Sequence, residues 1–112
     1  MDKRTSVRFV PRRAVTALLE DRDLAPVALA QVADISEGGV CLWTNASLRA
    51  GDLLILQLSF PEELRPFQAA GRVVWTRGED EGRCQCGVAW AATAGPQHAR
   101  LSILIRASQT GH

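Results

Sequence analysis

The stretch LLILQLSF, residues 53–60, decides the fold. Leu54, Leu56, Leu58 and Phe60 fall on one face while Gln57 and Ser59 fall on the other, which is the period of a half-buried strand with its even positions toward a core. Beyond the loop at residues 61–66 the alternation returns: Phe67, Ala69, Gly71, Val73 and Trp75 share one face, and Gln68, Arg72 and Thr76 share the other. An acidic, glycine-flanked turn (RGEDEG, 77–82) leads into residues 83–90 with Cys84, Cys86, Val88 and Trp90 inward, so these two segments are expected to form a hairpin. Upstream, residues 14–20 (AVTALLE) and 24–33 read as a second hairpin across the polar turn Asp21-Arg22-Asp23, with Pro26 at a strand entry or an edge. Residues 40–43 resume as a strand after the tight, backbone-exposing loop DISEGG, 34–39, and LRAGD, 48–52, is a turn. Only the tail changes period. Gly95-Pro96 predicts a helix start, and Leu101, Leu104 and Ile105 recur at helical spacing. Six or so short strands closed by one helix predict a mainly β fold, a small antiparallel barrel with a C-terminal α-helix.

A chain of 112 residues, 46% hydrophobic and 22% charged, has the length and composition of one ordinary globular domain and leaves no room for a two-domain enzyme. No apolar run reaches the roughly 18 to 20 residues of a membrane helix, and residues 1–11 lack the apolar middle of a signal peptide, so a cytoplasmic protein without membrane insertion is expected. The net charge of +1 is unevenly spread. Residues 1–13 hold Lys3, Arg4, Arg8, Arg12 and Arg13 against Asp2, a balance of +4, whereas eight basic and eleven acidic side chains leave the other 99 residues at −3. The chain therefore divides into a basic arm, residues 1–13, expected to be mobile for want of apolar anchors, and a barrel with its helix, residues 14–112. An anionic partner would be met at the arm, unless the arm is simply a solvated basic tail.

Catalytic motifs are missing. No nucleophile and base pattern, phosphate loop or metalloprotease motif occurs, so no enzyme and no cofactor are expected. Cys84 and Cys86 share a face, yet with Cys41 the only other cysteine, and His98 and His112 far along the chain, they read as apolar packing rather than zinc ligands. Two features do stand out. Arg4-Thr-Ser-Val-Arg8 is an RxxxR, and Asp34-Ile-Ser36-Glu-Gly-Gly39 is a DxSxxG. Each is weak by itself; together, on an arm and a loop separated by one hairpin, they are much stronger.

With those two motifs the sequence resembles the PilZ domain family of bacterial receptors for the second messenger cyclic diguanylate (cyclic di-GMP). The likeness extends to LRAGDLLILQL at 48–58, GRVVW at 71–75 and CGVAW at 86–90. It implies a six-stranded antiparallel barrel with a C-terminal helix, a nucleotide-binding role in second-messenger signalling of the kind that regulates motility or biofilm, and a ligand site formed by Arg4, Arg8, Asp34, Ser36 and Gly39. The side chains suit that ligand. An arginine fork bonds phosphate or guanine O6 and N7 bidentately and stacks on a purine. An ionised Asp34 accepts from the adjacent N1–H and N2–H donors of guanine. Ser36 can donate to a phosphate or base oxygen, and Gly39 permits φ > 0 and close backbone approach. Asp34 and Ser36 could instead satisfy themselves in a local turn.

Some alternatives stay open. Arg8-Phe-Val-Pro-Arg12 is a second, overlapping RxxxR; Arg4 and Arg8 are favoured because residues 9–13 fit a short extended linker. Trp75 is expected in the core by its parity, with stacking on a guanine as the other possibility. The function expected is a stand-alone receptor or adaptor whose ligand orders the arm for an unidentified downstream protein. The alternative is a nucleotide-independent adaptor for motility or pilus components. Nucleic acid is not expected as a partner, because the body is net acidic and carries no stripe of exposed aromatics and lysines.

Overall fold

Alternating sequences close here into a barrel. The computed structural model describes residues 9–11, 14–61, 63–78, 82–91, 100–101 and 103–106. Six strands run through them: β1 (Thr16–Glu20), β2 (Pro26–Ile35), β3 (Gly39–Thr44), β4 (Leu53–Ser59), β5 (Phe67–Gly78) and β6 (Cys84–Trp90). All pairings are antiparallel in the order β1-β2-β3-β6-β5-β4, and β1 pairs with β4 to close the ring. Closure leaves no strand edge open.

The core follows the alternation. Leu54, Leu56, Leu58 and Phe60 are buried, as are Phe67, Ala69 and Val73 on β5 and Cys86, Val88 and Trp90 on β6. The described part of the C-terminal helix, 100–101 and 103–106, turns Leu101, Leu104 and Ile105 into the same cluster and leaves Ile103 exposed. Its expected start at Gly95-Pro96 lies outside the described residues. No helix among the described residues is long and apolar enough to cross a membrane.

Two strands break the simple alternation, and both breaks matter. On β2 the pairing to β3 steps from Val32↔Leu42 to Asp34↔Cys41. The bulge at Ala33 moves the inward position from the even residues Ala30 and Val32 to Ile35, which is fully buried, and Asp34 is turned to the outer face. Without it Asp34 would enter the core. On β5 the pairing to β6 steps from Val73↔Val88 to Trp75↔Gly87. Here the sequence parity misled: Trp75 is not a core residue but is 39% exposed on the outer face, because the extra residue Val74 reverses the alternation after Val73.

One residue of the arm, Phe9, departs from expectation. Phe9 forms an antiparallel bridge to Ile35, with its N–H donating to the Ile35 carbonyl at 2.8 Å and the Ile35 N–H donating back at 2.8 Å. Phe9 is half-buried against the core. The arm therefore has an apolar anchor that composition did not reveal, and at Phe9 it is already attached to the barrel.

Candidate functional site

The two bulges bring distant residues into register. Asp34 pairs with Cys41, Cys41 with Gly87, and Gly87 with Trp75, so one row of outward positions crosses four strands. A cleft of about 590 Å³ lies over this row, lined by Asp34, Ser36, Gly39, Trp75, Arg77 and Gln85 among others. Gly87 forms its floor. A Cβ there would collide with the Trp75 indole, lying 2.9 Å from Cδ1, so the ring rests directly on the bare backbone of β6.

Ser36 organises the turn between β2 and β3. It is 1% exposed. Its Oγ accepts from Gly38 N at 3.1 Å and Gly39 N at 3.2 Å and donates to Gly39 O at 3.4 Å, which uses the hydroxyl's donor and both of its lone pairs. Ser36 N donates to Gly39 O as well, at 2.8 Å. The far side of the loop is tied to β6: Trp90 N donates to Gly38 O at 3.1 Å, and the buried Trp90 indole N–H donates to Ser36 O at 3.1 Å. Serine at this position thus holds the loop in shape, with the bulge-turned Asp34 at its base.

Gly39 is required for a different reason from the one its motif suggested. Its φ is not positive, since among the described glycines the positive values are at Gly51 and Gly82. Instead, a Cβ at Gly39 would overlap the Val88 carbonyl oxygen and sit 3.2 Å from the Val88 carbonyl carbon. The glycine lets β3 approach β6, and the neighbour is backbone that cannot rotate away. Gly39→Ala is expected to destabilise the fold by about 1 to 3 kcal/mol, the usual cost of overpacking, seen as a lower urea midpoint with an unchanged slope.

Residues that motif reading missed occupy the other wall. Arg77, Gln85 and Cys41 form a chain: Arg77 Nη1 donates to Gln85 Oε1 at 3.4 Å, and Gln85 Nε2 donates to Cys41 Sγ at 3.2 Å. The Arg77 guanidinium stands 5.7 Å from the Trp75 ring centroid, within cation–π range. Arg77 follows Trp75 by two positions, so its face is readable only once the bulge is known. The cysteines are free thiols. Burial, with Cys84 and Cys41 nearby, pushes the Cys86 thiol up to about 11, which keeps it protonated and unreactive at neutral pH. Cys84 donates to Ala46 O at 3.3 Å. Among the described residues no group of three potential metal ligands comes together.

Of the expected site residues, the structure brings Asp34, Ser36 and Gly39 to one cleft. Arg4, Arg8 and Arg12 lie outside the described residues. The profile of the PilZ domain matches the sequence over residues 2–107. The chain belongs to the PilZ domain family. No curated protein sequence matches it, but solved PilZ structures do. The PilZ domain of YcgR from Escherichia coli, a structure with cyclic di-GMP, superposes with a TM-score of 0.77 at 10% identity, covering 96% of this chain and 92% of that one. The Bacillus subtilis inhibitor of motility MotI (DgrA) gives 0.69 at 19% identity over 100% of this chain, and MrkH of K. pneumonia in its cyclic di-GMP complex gives 0.73 at 17% over 96%. This PilZ domain spans about half of the latter two, 54% and 52% of their chains. At such identities the likeness establishes the shared fold.

Proposed function

We propose that this PilZ domain is a receptor for cyclic di-GMP, held in the cleft between Arg4 and Arg8 of the arm and Asp34 at the base of the Ser36–Gly39 turn. One observation carries the reading: the Phe9 to Ile35 bridge ties the residue directly after Arg8 to the residue directly after Asp34, which supports a common site for the two motifs. The antiparallel sense of the bridge also supports the register. Chain following Phe9 leads to Val15, whose carbonyl accepts from Val32 N at 2.9 Å, and so away from the turn. Arg4 and Arg8 belong to the preceding part and Arg12 to the following part.

The ligand's chemistry fits these groups. Two arginine forks match phosphate oxygens and guanine acceptors, and an ionised Asp34 matches the donor edge of guanine. Trp75, exposed beside the cleft, offers a face for a base. Ser36, with its hydroxyl committed to the turn, acts by positioning the loop. Because Phe9 is already paired, ligand-induced ordering of the arm is assigned to the residues before it. The surface so completed is what an unidentified partner protein would read. PilZ structures with the same fold hold cyclic di-GMP in YcgR and MrkH, which further supports the assignment.

Titration calorimetry with cyclic di-GMP tests the reading, and a folded sample giving no binding heat would sink it. The register is checked in the same experiment. Arg12→Ala should cost less than about 1 kcal/mol and alter mainly the salt dependence, as befits a nearby charge without direct contact. If Arg12→Ala abolished binding and Arg4→Ala were silent, the arginines would have to be reassigned.

A further inference from the structure

We infer that Arg77 is a third arginine of the ligand site, oriented by Gln85 to meet a phosphate of the bound dinucleotide; this rests on the cyclic di-GMP reading above. The cleft's charge makes the first argument. Among the described residues lining it, Asp34 is the carboxylate and Arg77 the cation. A ligand with two phosphates needs positive charge on the barrel wall as well as on the arm, and Arg77 is where the wall supplies it.

Position makes the second argument. Adjacent strands are roughly 4.8 Å apart, so the row from Asp34 on β2 to Trp75 on β5 spans on the order of 14 Å. A guanine gripped by Asp34 fills only the near end. The far end, where Arg77 stands in the next outward row opposite Gln85, is left for the remainder of a ligand laid along the Trp75 ring that covers Gly87.

Pre-organisation makes the third. The described contacts of Arg77 are neutral: the Gln85 amide oxygen at 3.4 Å and the Trp75 ring at 5.7 Å. Neither neutralises the guanidinium, and both limit its rotamers. Gln85 is itself held, since its Nε2 donates to Cys41 Sγ in the buried floor at 3.2 Å. A side chain whose direction is set before the ligand arrives loses less entropy on binding, and a guanidinium aimed into a cleft presents its remaining N–H groups as a fork suited to phosphate.

The test is titration of cyclic di-GMP into the full chain at two salt concentrations, for wild type, Arg77→Ala, Arg77→Lys, Gln85→Ala and the Arg77→Ala/Gln85→Ala double variant. Arg77→Ala should weaken binding about tenfold or more, as for a lost charge-assisted hydrogen bond, and should make the affinity less sensitive to salt. Arg77→Lys should restore the salt sensitivity but not the full affinity. Gln85→Ala should weaken binding less than Arg77→Ala and add nothing in the double variant, which marks it as acting through Arg77. If the wild type binds and Arg77→Ala stays within twofold of it, the inference is overturned. A loss of affinity with unchanged salt sensitivity also overturns it, because Arg77 would then merely support Trp75. Absence of wild-type binding would overturn the receptor reading, and this inference with it.

Discussion

Cyclic di-AMP is expected to bind this PilZ domain at least about 100-fold more weakly than cyclic di-GMP. The reason lies in Asp34, which the bulge at Ala33 turns out of the core and into the cleft. Guanine presents two adjacent donors, N1–H and N2–H, to a carboxylate. Adenine presents the N6 donor beside an N1 lone pair, which would face a carboxylate oxygen and be repelled. A site built for a donor edge rejects the wrong base harshly because its own polar group is left unmatched. Asp34→Ala should therefore lose guanine affinity and most of the discrimination together. Competition of both dinucleotides against a labelled ligand measures this. Equal displacement by the two would strip Asp34 of the role and leave phosphate recognition as the sole basis of binding.

Arg4→Ala and Arg8→Ala should each reduce cyclic di-GMP affinity by tens to hundreds of fold. A charge-assisted contact to a partly desolvated anion is worth on the order of 2 to 3 kcal/mol. The two substitutions should not be additive, as expected for two arginines that serve one ligand from one arm. The barrel should be untouched: both are charged residues that precede its first strand, β1, so thermal unfolding without ligand should coincide with that of the wild type. Calorimetry on the three proteins with matched unfolding curves decides the matter. Variants that bind as tightly as the wild type would show that the arm is not part of the site.

What is legible in the amino-acid order depends on near neighbours in the chain. Strand period at 53–60, turn residues between strands, and helical spacing of Leu101, Leu104 and Ile105 are local patterns, and each leads to the right element and the right buried face. The motif residues Asp34, Ser36 and Gly39 are legible in the same way, because a short loop keeps its own residues together whatever the remainder does. Their reasons are less legible. Gly39 looks like a conformational requirement and is a packing requirement set by Val88, forty-nine positions away in the chain.

Tertiary structure decided where the side chains of β2 and β5 point near the cleft. Alternation along a strand is a local rule, but a bulge is a mismatch between two strands, and no single segment contains the information for it. The Ala33 bulge sends Asp34 outward, and the one at Val74 sends Trp75 and Arg77 to the same surface. The cross-strand row Asp34, Cys41, Gly87, Trp75 exists only once four strands are in register. The same holds for the arm, where a composition of charges suggested freedom and a single aromatic residue, Phe9, finds both a hydrogen-bonding partner in Ile35 and the edge of the core. The amino-acid order alone was enough for the barrel, the inward face of β4 and the turn motif. The cleft, with Trp75, Arg77 and Gln85 on its wall, arose from strand pairing, because its two sides meet only across the β3–β6 ladder, where Cys41 pairs with Gly87 forty-six positions away in the chain.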